Sequence, residues 1–211
     1  MPKKVLIVDD HLIVREGLGF LLKESCPGFC IEEAENGGEA LRKIRRERFD
    51  LVILDISMPG RDGLFVLKEI KRIRPRLPVI VLSVLAEELY GPRALKAGAS
   101  AFLSKCAEVE TLIEAVKKVI SGQRFISSSL AQTIVFDLGA AKKPSPASKL
   151  TDEEFHVMRL IAEGKTGREI AADINLSQTP VAKMRRSIKT KLDLKTNAEI
   201  IGYAITHGIV E

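Results

Sequence analysis

Five short strand-like runs, most of them apolar, each followed by a longer segment of helical period, fill the first 121 residues of this 211-residue chain. The runs are 5–9, 30–34, 51–55, 79–83 and 101–103. Several are unbroken Val/Ile/Leu stretches, as strands covered on both faces should be. Between them, apolar residues fall three and four apart, as in Val14/Leu18/Leu21/Leu22 and Leu64/Leu67/Ile70/Ile73. A last such stripe is Val109/Leu112/Ile113/Val116/Val119/Ile120, and each gives a helix one apolar face. Five strand–helix units predict an α/β domain, a doubly wound five-stranded parallel sheet with right-handed crossovers.

The pattern changes after Gly122. SSSLAQTIVFDL reads as one short helix with a serine as N-cap. GAAKKPSPASK, rich in Pro, Ala, Ser and Lys, reads as an exposed linker. From Leu150 onward the pattern is wholly helical. Thr151 and Glu154 are spaced for a capping box, and Phe155, Met158, Leu160 and Ile161 supply apolar positions before Gly164. A second helix spans 168–174, a third runs from the Ser177 cap to about 192, and a fourth spans 196–207 before Gly208. The expected organisation is a sheet domain over 1–122, a linker over 123–148, and an all-α four-helix domain over 149–211.

No apolar run reaches the length of a membrane span, and MPKKVLIVDD reads as a strand, not a secretion signal. Three cysteines, Cys26, Cys30 and Cys106, point to a reducing cytoplasm and not to a disulfide framework. Net charge is +5, and no segment is strongly basic as a whole. The stretch 183–195 nevertheless holds Lys183, Arg185, Arg186, Lys189, Lys191 and Lys195 against Asp193 alone. A local stripe of that kind suits a phosphate backbone, or equally a solvated helix face.

Ligands of open parallel sheets bind beyond the carboxyl ends of the strands. The first run ends in Asp9-Asp10 and the third in Asp55, so neighbouring strands would gather three carboxylates. Carboxylates that close call for a cation, and hard oxygen donors suit Mg²⁺. Ser83 ends the fourth run, and Lys105 follows the fifth; a hydroxyl and an ammonium there would meet phosphoryl oxygens. The set supports carboxylate attack on phosphorus, giving an aspartyl phosphate. Asp55 is the expected nucleophile, since the loop after it carries Pro59, Gly60 and Gly63 and can turn sharply.

VDDH, LDISMPGRDG, VLS and GASAFLSK are similar to the motifs of response-regulator receiver domains, which have a flavodoxin-like fold. The resemblance implies Asp9, Asp10, Asp55 and the Ser57 backbone carbonyl as the Mg²⁺ site, with Asp55 the phosphoacceptor. It implies Ser83 as the switch hydroxyl, Lys105 as the phosphate-binding lysine and Phe102 as the aromatic switch, here Phe and not Tyr. EELYGPRALKAGA departs from the usual helix after the fourth strand. Pro92 cannot occupy a helix interior without losing a bond, which predicts a helix starting at Pro92 with Gly91 as cap, or a kink there.

In the C-terminal part, Ile170, Ile174, Val181, Ile188 and Leu192 read as the core of a helix-turn-helix pair turning at 175–177. The third helix opposes a Val181/Met184/Ile188/Leu192 stripe to Ala182, Lys183, Arg185, Arg186 and Lys189, as a recognition helix would. LTDEEFHVMRLIAEGKTGREIAADINLSQTPVAKMRRSIKTKLDL resembles the LuxR-type DNA-binding domain of NarL/FixJ-class regulators. The resemblance implies base reading by Ala182, Lys183 and Arg186. It implies backbone contacts by Ser177, Thr179 and Lys191, with Lys195 at the margin, and dimerisation through the fourth helix; Lys189 on the polar face is a further candidate DNA contact. Pro180, Ala182 and Met184 depart from the residues common in the family, and a lost base contact is worth roughly 1–3 kcal/mol.

The expected function is that of a cytoplasmic transcriptional regulator, not an enzyme, of a two-component system. It would accept a phosphoryl group from a sensor histidine kinase and bind double-stranded promoter DNA as a homodimer when phosphorylated. An aspartyl-phosphate hydrolase would carry Asp where this chain has Ser57, and no glycine-rich phosphate loop follows the first strand. The alternative is a receiver-like regulator controlled by protein partners and not by phosphate.

Overall fold

The computed structural model describes residues 2–58, 63–139 and 146–210, in two compact units. In the first, strands β1 (Lys3–Val8), β2 (Phe29–Ala34), β3 (Leu51–Leu54), β4 (Val79–Ser83) and β5 (Ala101–Ser104) alternate with helices. These are α1 (Leu12–Ser25), α2 (Gly37–Arg46), α3 (Gly63–Ile73), α4 (Glu87–Lys96) and α5 (Val109–Ile120). The sheet is wholly parallel, ordered β2-β1-β3-β4-β5, so chain order reverses beside β1 and places β3 against it. Val5, Ile7, Leu51, Ile53, Ile80, Leu82, Ala101 and Leu103 point to one face and pack with Leu112, Ala115, Val116 and Val119 of α5. Leu6, Val8, Val52, Leu54, Val79 and Val81 alternate with them and are equally buried. Both faces of the inner strands β1, β3 and β4 are thus covered, which is why their runs are continuous and do not alternate with polar residues. Edge strand β2 instead carries Glu32 and Glu33 and is only partly buried.

Ladder hydrogen bonds continue one residue past the strands. Asp55 N–H donates to Val8 O at 2.8 Å, Asp9 N–H to Ala34 O at 3.2 Å, and Lys105 N–H to Ser83 O at 2.8 Å. These bonds fix the three charged residues at one edge of the sheet. Gly63 opens α3 so close to the strand that a Cβ there would lie 2.2 Å from Ile56 Cα. Pro59 and Gly60, the other turn residues of that loop, lie outside the described residues.

Two differences from the sequence reading stand out. α4 starts at Glu87 and not at Pro92, and its N-cap is Ala86, not Gly91. Glu87 and Glu88 suit the helix N-terminus, and Ala86 O already accepts the N–H groups of Leu89 and Tyr90. Pro92 therefore sits one and a half turns in, where the helix forgoes a single backbone bond while buried Tyr90, Gly91 and Ala94 keep it packed. The first unit also runs past residue 122, to Gln132. Phe125 N–H donates to Ser100 O at 3.0 Å and its ring joins the core, drawing the segment after Gly122 onto the sheet. The expected short helix is α6 (Ser128–Gly139), capped by Ser127.

The second unit contains a 3₁₀ turn (Pro146–Lys149) and helices α7 (Asp152–Ala162), α8 (Gly167–Asp173), α9 (Gln178–Leu192) and α10 (Asn197–Thr206). Thr151 and Glu154 form the capping box expected for α7, and Thr166 with Glu169 forms a second one for α8. Ile170, Val181, Ile188 and Leu192 are core, with Ile174 half-buried at the end of α8. Asn175 turns the chain between α8 and α9 at φ 54°, and Asp193 ends α9 at φ 56°, both in the left-handed region that Asn and Asp tolerate best.

Candidate functional site

Four of the five strands end in charge or hydroxyl at the same sheet edge, and side chains there meet. Lys105 Nζ lies 2.7 Å from Asp55 Oδ2 and 2.6 Å from Asp9 Oδ2, bridging the ends of β3 and β1. Asp55 and Asp9 are almost wholly buried, at 1% and 2% exposure, so only a close cation makes two ionised carboxylates tolerable there. Burial pulls the Lys105 ammonium's pKa down, but hydrogen bonds and charges from Asp55 and Asp9 outweigh it and hold the pKa above its ordinary value. The lysine stays charged.

Asp55 Oδ1 accepts the Ser57 N–H at 2.7 Å, which fixes the carboxylate from its other side. Ser57 Oγ and Ser83 Oγ share a hydrogen bond of 2.7 Å, and Ser83 Oγ accepts the Leu85 N–H at 3.2 Å. The end of β4 is thereby tied both to the loop after Asp55 and to the turn entering α4. Phe102 is fully buried within β5, beside Val81. It lies two residues before the serine that ends the strand.

Sequence reading did not single out two neighbours of the carboxylates. His11 N–H donates to Asp9 Oδ1 at 2.9 Å, and its Nδ1 lies 3.3 Å from that oxygen and 3.1 Å from Asp10 Oδ1. Arg15, nearly buried, donates to the Asp9 carbonyl at 2.8 Å and to Glu33 Oε2 at 3.1 Å, fastening the end of β1 to β2. The VDDH motif carried the first signal; nothing in the sequence carried the second. Asp9, Asp10 and His11 place ligand atoms within 4.8 Å of one another. Asp10 Oδ1 is enclosed and, among the described residues, accepts no aligned hydrogen bond. An enclosed carboxylate oxygen with no aligned hydrogen bond, beside the carboxylate of Asp9, fits a small hard divalent cation such as Mg²⁺.

In the second unit the expected contact residues separate into two groups. Ser177 is the N-cap of α9 but its hydroxyl makes no cap bond, and Thr179, Ala182, Lys183 and Arg186 are exposed along the same helix. Lys189, half-buried, continues the three-residue spacing of Lys183 and Arg186, and none of these three cations has an ion pair among the described residues. Lys191 is different. Its ammonium lies 2.7 Å from Glu154 Oε2, and Ser187 Oγ donates to Glu154 Oε1 at 2.6 Å. Lys195 is exposed beyond the end of α9.

Comparison with known proteins agrees with both halves. Residues 5–117 match the family described as response regulator receiver domain, and residues 148–204 the bacterial regulatory proteins of the luxR family. The chain is 34% identical over 206 residues to response regulator UvrY of Escherichia coli K12, covering 97% of this chain and 94% of that one. It is 32% identical to response regulator GacA of Pseudomonas protegens, covering 99% and 98%. Among solved structures, RcsB of Salmonella enterica serovar Typhimurium, bound to promoter rprA with the phosphomimetic BeF3⁻, superposes with a TM-score of 0.72. Its identity is 26%, over 95% of this chain and 98% of that one. Another RcsB structure from Salmonella typhimurium gives a TM-score of 0.78 at 25% identity, covering 98% of each chain. Among the described residues no helix is long and apolar enough to cross a membrane.

Proposed function

Because the chain belongs to the two-component response regulators that join a receiver domain to a LuxR-type DNA-binding domain, we propose that Asp55 takes a phosphoryl group from a histidine kinase and that this controls promoter binding. The observation that carries the reading is the buried Asp9–Lys105–Asp55 cluster, with Ser83 hydrogen-bonded beside it at the same sheet edge.

An Asp55 carboxylate oxygen attacks the phosphorus of a phosphohistidine, the P–N bond breaks with its electron pair going to the ring nitrogen, and the imidazole leaves neutral because its other nitrogen already carries a proton. The acyl phosphate that forms adds negative charge to a nearly buried place. Lys105 is the fixed ammonium that meets it, already oriented and so costing little reorganisation. The Ser57 N–H and the Ser83 hydroxyl supply further donors. Asp9, Asp10, Asp55 and the Ser57 carbonyl would hold Mg²⁺, which when bound neutralises charge on the transferring oxygens. Ser83 then moves toward the phosphoryl group, and the packing of Phe102 responds to it.

In the C-terminal domain, α9 is the helix proposed to enter the major groove. Lys183 and Arg186 reach base edges, while Ser177, Thr179 and Lys189 hold the phosphate backbone. Ala182 occupies a base-reading position without a polar group, so this chain reads fewer bases there. A dimer through α10 would place two such helices on a two-fold site. The partners are therefore a sensor histidine kinase, promoter DNA and a second copy of the chain.

The test is intact mass after incubation with Mg²⁺ and a small phosphodonor, wild type beside Asp55→Asn. One phosphoryl group gained by wild type alone is the expected result. No gain in either sinks the reading and leaves a receiver controlled by protein partners.

A further inference from the structure

The first turn of α6 is fastened to the first turn of α4. Ser127 Oγ donates to Glu87 Oε1 at 2.7 Å, and Ser129 Oγ donates to the other carboxylate oxygen. The same Ser127 hydroxyl accepts the Leu130 N–H at 3.0 Å, so it caps α6 while it holds Glu87. Leu130 is fully buried and sits where α4 presents no side chain, since a Cβ on Gly91 would come within 2.7 Å of Leu130 Cδ1. A glycine in mid-helix costs stability relative to alanine. Here it makes the notch that receives the leucine.

Glu87 is also four residues from Ser83. Ser83 Oγ holds the Leu85 N–H, and Leu85 leads into Ala86, whose carbonyl anchors the first turn of α4. A Ser83 hydroxyl drawn toward new oxygens on Asp55 leaves the Leu85 N–H without its acceptor. The turn that sets the position of Glu87 then loses one of its ties.

We infer that Glu87 is a positioning residue: with the Gly91 notch it holds the start of α6 on α4 in the resting receiver and lets go when Asp55 is phosphorylated. The inference rests on the phosphoacceptor reading above. It concerns the segment through which the chain leaves the receiver, so release would loosen the connection to the DNA-binding domain without any change in the phosphorylation chemistry.

The experiment is hydrogen exchange on the full chain, read by mass spectrometry over peptides covering 126–135, with and without Mg²⁺ and acetyl phosphate. Intact mass is taken on the same samples. In wild type, the Leu130 and Ala131 amides should exchange about tenfold faster once phosphorylated, as a local opening would make them. Glu87→Ala should exchange fast in both states and still gain a phosphoryl group. Gly91→Ala is the second variant: it favours the helix α4 but closes the notch, so it should also abolish the difference while leaving the receiver folded. Exchange that stays unchanged in protein shown by mass to be phosphorylated overturns the clasp, as does a full phosphorylation-dependent difference surviving in both variants. Absence of any mass gain overturns the phosphoacceptor reading, and the clasp with it.

Discussion

Removing the Glu154 side chain should weaken the DNA-binding domain more than any surface change on the same helix. Its carboxylate, 9% exposed, does three things at once. It accepts the Thr151 N–H at 2.8 Å to close the capping box of α7, it accepts Ser187 Oγ, and it pairs with Lys191 on α9. Loss of a cap costs about 1 kcal/mol, and hydrogen bonds to a charged group contribute about 1.5–3 kcal/mol each. Lys191 is a third exposed and can turn to water, so its share is discounted toward the surface-pair range of about 0–1 kcal/mol. Glu154→Ala should therefore cost about 2–4 kcal/mol, which in a domain this small lowers the melting temperature by roughly 10–25 °C. Glu154→Gln keeps a side chain that can close the box and accept from Ser187, and should cost about 1 kcal/mol. The assay is amide exchange in α7 and α9 peptides of the full chain across a urea or temperature series, which isolates this domain's opening. Equal losses in the two variants, or an alanine variant within about 0.5 kcal/mol of wild type, would refute the reasoning. The pH dependence has a definite sign. Burial pushes the Glu154 carboxyl up, but Lys191, Ser187 and the Thr151 N–H together hold it below its ordinary 4.5. Its contribution is complete above pH 4.5 and drains away as pH falls through the depressed value, so Glu154→Gln should flatten the stability curve in that acid window.

Three further outcomes are expected. Lys105→Met leaves two buried carboxylates facing each other and removes the ammonium that meets the phosphoryl group, so phosphorylation followed by intact mass should slow about 10²–10³-fold; an unchanged rate would exclude Lys105 from the chemistry. Phe125→Ala should destabilise the receiver by about 3 kcal/mol or more in urea melts, and a fragment ending at 122 should be less stable than one ending at 132; equal midpoints would show that the segment after Gly122 adds nothing to the receiver. Arg186→Ala should weaken promoter binding and reduce its salt slope by about one, whereas Lys191→Ala should mainly lower the stability of the domain; a larger effect of Lys191 on DNA affinity would reverse the two assignments.

Most of this architecture was legible because its determinants are local. Continuous apolar runs specify strands buried on both faces, stripes at i, i+3, i+4 specify helices that cover them, and a right-handed crossover then leaves few ways to order the sheet. Asp9, Asp55, Ser83 and Lys105 could be grouped from sequence because each closes or follows a strand, and parallel strands bring those ends to one edge. The start of α4 was misjudged because Pro92 is a strong local signal. The acidic first turn and the burial of Tyr90 and Ala94, which override it, act through the helix end and the core. Only the tertiary structure could decide that Phe125 belongs to the receiver, that Arg15 ties Asp9 to Glu33, and that Lys191 faces Glu154 37 residues away. It alone could show that Glu87 on one helix receives two serines from another. Such contacts join residues far apart in the chain, and no periodicity records which distant partner a polar side chain will meet once the core has closed.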